Sequence, residues 1–151
     1  MRAPYDWDNS LLTFHEAIDN DHMGIFAIGR EIGTATGGLN AGRQLRLIHE
    51  LIWYVNEHFK MEENLMREHR YDRLREHSER HIHLGKALQV LLSDLSGKIT
   101  PRKWREFTDS FVQELATHIK SEDRLLAQFL RQVDVEARRS KTIGTESNRG
   151  N

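Results

Sequence analysis

Only two prolines occur, Pro4 and Pro101, so the chain between them carries no residue that forbids a helical backbone. Through most of that stretch apolar side chains recur at intervals of three and four, which places them on one face of a helix and leaves the other face to charge. A first helix is expected over about residues 15–36, with Ile18, His22, Ile25, Phe26, Ile28, Gly29 and Ile32 in one stripe. The run Gly37-Gly38-Leu39-Asn40 would end it. A second helix, over about 41–69, carries Leu45, Ile48, Leu51, Ile52, Val55, Phe59, Glu62, Leu65 and Met66, a stripe too long and too regular for a strand. After a turn at Tyr71-Asp72, a third over about 72–95 turns Leu74, His77, His81, Leu84, Leu88, Leu91, Leu92 and Leu95 inward, with Gly97 as its stop signal. Thr100 as N-cap and Pro101 at the first helical position then open a fourth, whose stripe holds Trp104, Phe107, Phe111, Leu115, His118, Leu125, Leu126 and Phe129.

Four long helices with short connections predict an all-α fold, an antiparallel four-helix bundle, preceded by an N-terminal arm. A chain of 151 residues, 38% hydrophobic and 30% charged, suits one domain with one core. Past about residue 133 the apolar period is lost, so 1–133 is read as the bundle and 134–151 as a polar tail, frayed or disordered.

Composition removes several kinds of function. Lys+Arg 22 against Asp+Glu 23 gives a formal net charge of -1, so no long-range field favours nucleic acid or an anionic membrane. The absence of cysteine excludes disulfides, thiolate nucleophiles and Cys-ligated zinc or iron–sulfur sites. A metal in this chain must be held by His and carboxylate. The stretch Met1-Arg2-Ala3-Pro4-Tyr5-Asp6-Trp7-Asp8 is too polar for a signal peptide, and no apolar run approaches the ~18–20 residues of a membrane span. A cytoplasmic, monomeric protein without a membrane span or a nucleic-acid partner is expected.

The inward stripes also carry chemistry. His58 and Glu62 stand at i, i+4, one turn apart on one helix face, and His77 and His81 repeat that geometry on the next helix. Each pair lies within its own apolar stripe, and burying several imidazoles and carboxylates without a cation carries a large desolvation cost. Spacing leaves two points open. His118 has Glu122 at i+4 and Asp123 at i+5, with helix geometry favouring Glu122, and His22 has no helical partner unless Asp19 orients it.

The segments Ile18-Asp19-Asn20-Asp21-His22, His58-Phe59-Lys60-Met61-Glu62, His77-Ser78-Glu79-Arg80-His81 and His118-Ile119-Lys120-Ser121-Glu122-Asp123 resemble, in order, the four signature segments of the hemerythrins. The resemblance runs from about Trp7 to residue 130 and is greatest to the single-domain bacterial members. It implies an up-and-down four-helix bundle that binds dioxygen at a non-haem di-iron centre. Carried over by position, His77, His81 and His118 would ligate one iron, His22 and His58 the other, and Glu62 and Asp123 would bridge them beside an oxo or hydroxo group. One coordination position, on the iron with two histidines, would then be open for O2. Reversible oxygen carriage, storage or delivery, with no substrate turned over, is the function implied. Oxygen or redox sensing, or an oxidase or peroxidase-like activity, is the alternative. The implied partners are dioxygen and an oxygen-consuming protein that receives it.

Phe59, Leu115 and Ile119 match positions that wall the family's oxygen pocket. Glu114, four residues before His118, departs from the Trp common there and is expected either to make that pocket more polar or to turn outward to solvent. A second departure is Arg70-Tyr71-Asp72 in place of Gly-Tyr-Pro. Trp7, Trp53 and Trp104 are read as packing residues, and His15, His49, His69 and His83 as surface or helix-end residues.

Overall fold

A computed structural model describes residues 5–34, 41–94 and 100–147. Among these the elements are α1 (Glu16–Thr34), α2 (Ala41–Glu68), α3 (Leu74–Asp94) and α4 (Pro101–His118), which runs without a break through a π turn (Ile119–Asp123) into α5 (Arg124–Ser147). A short 3-10 turn, Asn9–Leu11, lies in the arm. Helix α1 packs on α2 and α4, and α3 packs on α2 and α4, so each helix touches its neighbours in sequence and the ring closes. This is an all-α four-helix bundle, as the stripes predict. No helix among the described residues is long and apolar enough to cross a membrane. The glycine stop signals at 37–38 and 97 lie outside the described residues.

Helix ends follow local chemistry. The Thr100 side chain accepts from the Lys103 N–H and Pro101 takes the first helical position, as expected. At the end of α2, Arg70 adopts φ 55°, the Arg70 N–H donates to the Arg67 carbonyl and the Tyr71 N–H donates to the Met66 carbonyl at 2.9 Å. This is a Schellman motif, with the accompanying apolar contact made by Tyr71 and Met66 in one cluster. Glycine would occupy its left-handed position without strain.

The arm lies along α1 and α5. Trp7 meets Phe26 edge-on at 5.5 Å, and a β-carbon at Gly33 would overlap the Tyr5 ring. Buried Asp19 accepts from the Thr13 N–H and hydroxyl at 2.8 Å and from the Phe14 N–H at 3.0 Å, which fastens Phe14 in its left-handed backbone, φ 64°. The Arg124 guanidinium donates to the Ser10 and Leu12 carbonyls, and Arg131 donates to that of Thr13. Asp19 therefore holds the arm, which answers the open question of whether it orients His22.

Two apolar clusters fill the interior, a larger one including Ile25, Val55, Phe59, Leu84 and Ile119, and a smaller one of Ile18, Met66, Tyr71, Leu126, Ala127 and Leu130. On each helix the polar ligand candidates fall between members of the two clusters, so a polar layer crosses an otherwise apolar core. Two stripe residues, Leu45 and Leu125, face outward, and Trp53 is 62% exposed, so Trp53 is not the packing residue expected, whereas Trp104 is buried. The expectation of a frayed tail from 134 also differs from the structure, where α5 stays helical to Ser147. Residues 134–142 are solvated on every side, so this extension rests on its own backbone hydrogen bonds and not on core contacts.

Candidate metal centre

His22, His58, Glu62, His77, His81 and Asp123 are at most 2% exposed, and His118 is buried with them. The structure brings all seven together as two overlapping groups: Glu62, His77, His81, His118 and Asp123 in one, and His22, His58, Glu62 and Asp123 in the other. Each helix contributes, because i, i+4 spacing on α2 and α3 stacks His58 over Glu62 and His77 over His81. Glu62 and Asp123 belong to both groups. All five imidazoles turn Nε2 inward. That of His22 lies 3.0 Å from Asp123 Oδ2 and 3.1 Å from His58 Nε2, and that of His58 lies 3.6 Å from Glu62 Oε1. On the other side His81 Nε2 is 3.1 Å from Glu62 Oε2, while His77 and His118 reach Asp123 Oδ1 at 3.0 and 2.9 Å.

The competition between Glu122 and Asp123 is decided by the backbone. Between Ile119 and Asp123 the helix takes a π turn, with the Arg124 N–H donating to the Ile119 carbonyl five residues back. One residue more per turn brings i+5 onto the face that i+4 would hold in an α-helix. Asp123 therefore joins His118, and Glu122 is rotated away to accept from Arg73 at 3.3 Å. Nothing in the composition of the segment announces this turn, which is why spacing favours Glu122, the carboxylate that the structure turns to Arg73.

Two carboxylates that sequence reasoning missed flank the cluster. The His58 Nδ1–H donates to Asp21 Oδ2 and the His81 Nδ1–H to Glu63 Oε1, both at 3.3 Å. The signal was present in the sequence as an acidic residue beside a ligand position on the same helix.

Charge and burial oppose each other throughout. Burial pushes the Glu62 carboxyl up, and Asp123 beside it adds to that, yet His58, His77 and His81 hold it at about 2. Burial likewise raises Asp123, but His118, His22 and His77 keep it well below the usual carboxylate range. Burial pulls His77 down, and its contacts with Asp123 and Glu62 outweigh that and raise it to about 9. His58 is raised by Glu62, Asp21 and Asp123 against the same burial cost. His81 is lowered, first by burial and then by His77 and His118, against the pull of Glu62. Two carboxylates thus stay ionised in a dry core and draw positive charge to themselves.

The donor set fits a pair of cations. Glu62 Oε1, His77 Nε2, His118 Nε2 and both oxygens of Asp123 are buried without a directed hydrogen bond. Such atoms are costly unless a further partner takes their lone pairs. Nitrogen and oxygen donors without sulfur suit a borderline transition metal better than a soft one. The cluster has the donor set of a metal-binding site.

Around it, Phe59 stacks on His81 with ring centroids 4.0 Å apart, and Leu115 and Ile119 are fully buried. Glu114 lies elsewhere: its side chain is 47% exposed, 3.9 Å from exposed His83, in a surface pocket of about 290 Å³ that also touches Arg80, Leu84, Thr117, His118 and Ser121. Of the two readings of Glu114, the structure takes the outward one. His83 and His49 are exposed as expected, and the His15 ring accepts from the Ile18 N–H at the start of α1.

Comparison with known proteins bears on the same residues. The hemerythrin HHE cation binding domain matches residues 13–130. A myohemerythrin from Theromyzon tessulatum is 24% identical over 93 residues, which is 62% of this chain and 72% of that protein. No solved structure matches at a significant level.

Proposed function

The chain belongs to the hemerythrin HHE family, and on that premise we propose that it binds dioxygen reversibly at two non-haem irons, serving oxygen carriage, storage or delivery. The observation that carries this reading is the unequal pair of donor groups, three histidines against two, joined by the shared Glu62 and Asp123. His77, His81 and His118 would hold one iron, His22 and His58 the other, with the two carboxylates and an oxo or hydroxo group between them. The poorer group offers fewer protein donors, and the cation it would hold is the one to which O2 would bind. Such an iron pair supplies the two electrons that dioxygen takes up on binding and returns on release.

The protein's own part is orientation and exclusion. Its imidazoles present Nε2 from rigid helices, so the donor set is organised before metal or oxygen arrives. Phe59, Leu115 and Ile119 form the proposed apolar wall that keeps water and reductants from the bound gas. Glu114, on the solvent side of α4, adds no carboxylate to that wall. A donor set richer in histidine than in carboxylate supports reversible binding over the oxygen activation of carboxylate-rich di-iron sites.

The test is anaerobic reduction of the purified protein, an assay of iron per chain, and cycles of oxygen and argon followed in the visible. A colour change that returns with each cycle, at two irons per chain, is the expected result. One-way bleaching would move the reading to redox or sensing chemistry, and absence of iron would overturn it.

A further inference from the structure

Asp21 and Glu63 stand outside both donor groups, yet each touches one member of a different group. Asp21 precedes His22 on α1 and reaches across to His58 on α2; Glu63 follows Glu62 on α2 and reaches across to His81 on α3. Consecutive helical residues point ~100° apart, so one faces the core while the next faces the seam with the adjoining helix. In each dipeptide the core-facing residue joins the cluster and the seam-facing carboxylate meets the outer nitrogen of a histidine on the next helix. The two are partly exposed, by 31% and 23%, so neither needs a buried counter-charge of its own. The other oxygen of Glu63 accepts from Arg67 at 2.7 Å, which restrains its rotamer.

We infer that Asp21 and Glu63 are positioning residues of the metal centre, one for each donor group, an inference that rests on the reading of the seven residues as ligands. A carboxylate at Nδ1 holds the proton there, which leaves the lone pair on Nε2, the nitrogen that all five rings turn inward. It also fixes the ring plane and raises the donor strength of Nε2. Asp21 acts on the two-histidine group through His58, and Glu63 on the three-histidine group through His81.

The test uses the whole chain, stripped of metal and titrated anaerobically with Fe(II), together with proton NMR of the slowly exchanging imidazole Nδ1–H groups. Asp21→Ala and Glu63→Ala are expected to weaken Fe(II) binding by ~10–100-fold, each at a different one of two binding steps, with loss of the Nδ1–H signal of the histidine concerned. Asp21→Asn and Glu63→Gln, which keep an acceptor and the side-chain volume, should fold normally, retain the Nδ1–H signal and give a smaller loss. Glu57→Gln, an exposed carboxylate paired with Lys60, serves as the unaffected control. Wild-type affinity in both alanine variants, or an equal loss at both steps with both signals retained, overturns the inference while leaving the oxygen-site reading intact. A wild-type chain that takes up no Fe(II) overturns both.

Discussion

Among single residues, the neighbours Glu122 and Asp123 make the sharpest contrast. Both are buried carboxylates near His118, but Asp123 faces the cluster and Glu122 faces Arg73. Asp123→Ala is expected to bind less iron than the wild-type chain. Glu122→Ala should keep the wild-type iron content and lose stability only through the unpaired Arg73, by ~1 kcal/mol as for a partly exposed charged hydrogen bond. Iron analysis beside thermal melting separates the two, and equal iron loss in both would refute the assignment. Arg70 gives a prediction of opposite sign. Its left-handed backbone costs a side-chain-bearing residue ~1–2 kcal/mol that glycine does not incur. Glycine's greater freedom in the unfolded chain takes part of that back. Arg70→Gly should therefore stabilise the protein by ~0.5–1 kcal/mol, read as a higher denaturation midpoint with an unchanged slope.

At the scale of elements, the π turn is an extra residue inserted in a helix, so removing one residue should remove the turn and nothing else. Deletion of exposed Ser121 would bring Asp123 to i+4 from His118 in a plain α-helix, with α4 and α5 both keeping their registers. The deletion variant is expected to retain iron and to melt at or above the wild-type temperature. Loss of iron together with lower stability would show that the turn is needed for more than register. This element marks the limit of what the sequence discloses. The four helices, the end of α2 and the start of α4 were legible because apolar spacing, the Tyr71 turn, Thr100 and Pro101 are local signals, read within a few residues. The pairs His58/Glu62 and His77/His81 were legible for the same reason. Asp123 was not, since α and π turns share composition and differ only by what the whole bundle requires; resemblance, not spacing, pointed to it. Asp21 and Glu63 were missed because their partners lie on other helices, and the continuation of α5 past residue 133 because residues 134–142 have no buried face to leave a stripe.

For the molecule as a whole, metal and protons compete for the same lone pairs. In the metal-free protein, Glu62 is held at about 2, so its contribution is complete above about 4.5 and is lost as pH falls through 2. His77 is raised to about 9, so its contribution is complete below about 6.5 and is lost as pH rises through 9. Metal-free protein should be most stable between about pH 4.5 and 6.5. Bound metal would replace those protons, so the loaded protein should stay stable through pH 9 and lose metal as acid protonates its histidines. Melting curves against pH, with and without a chelator, check this; parallel profiles would contradict it. The ties between the arm and α5 carry a further consequence, one of timing. Arg124 and Arg131 bind carbonyls 112 to 118 residues earlier in the chain. Contacts so distant close large loops and form late. During synthesis the arm, α1, α2 and α3 emerge first, with His22, His58, Glu62, His77 and His81, while His118 and Asp123 come only with the last helix. A nascent chain therefore meets metal with its cluster incomplete, and the segment that completes the cluster also fastens the arm.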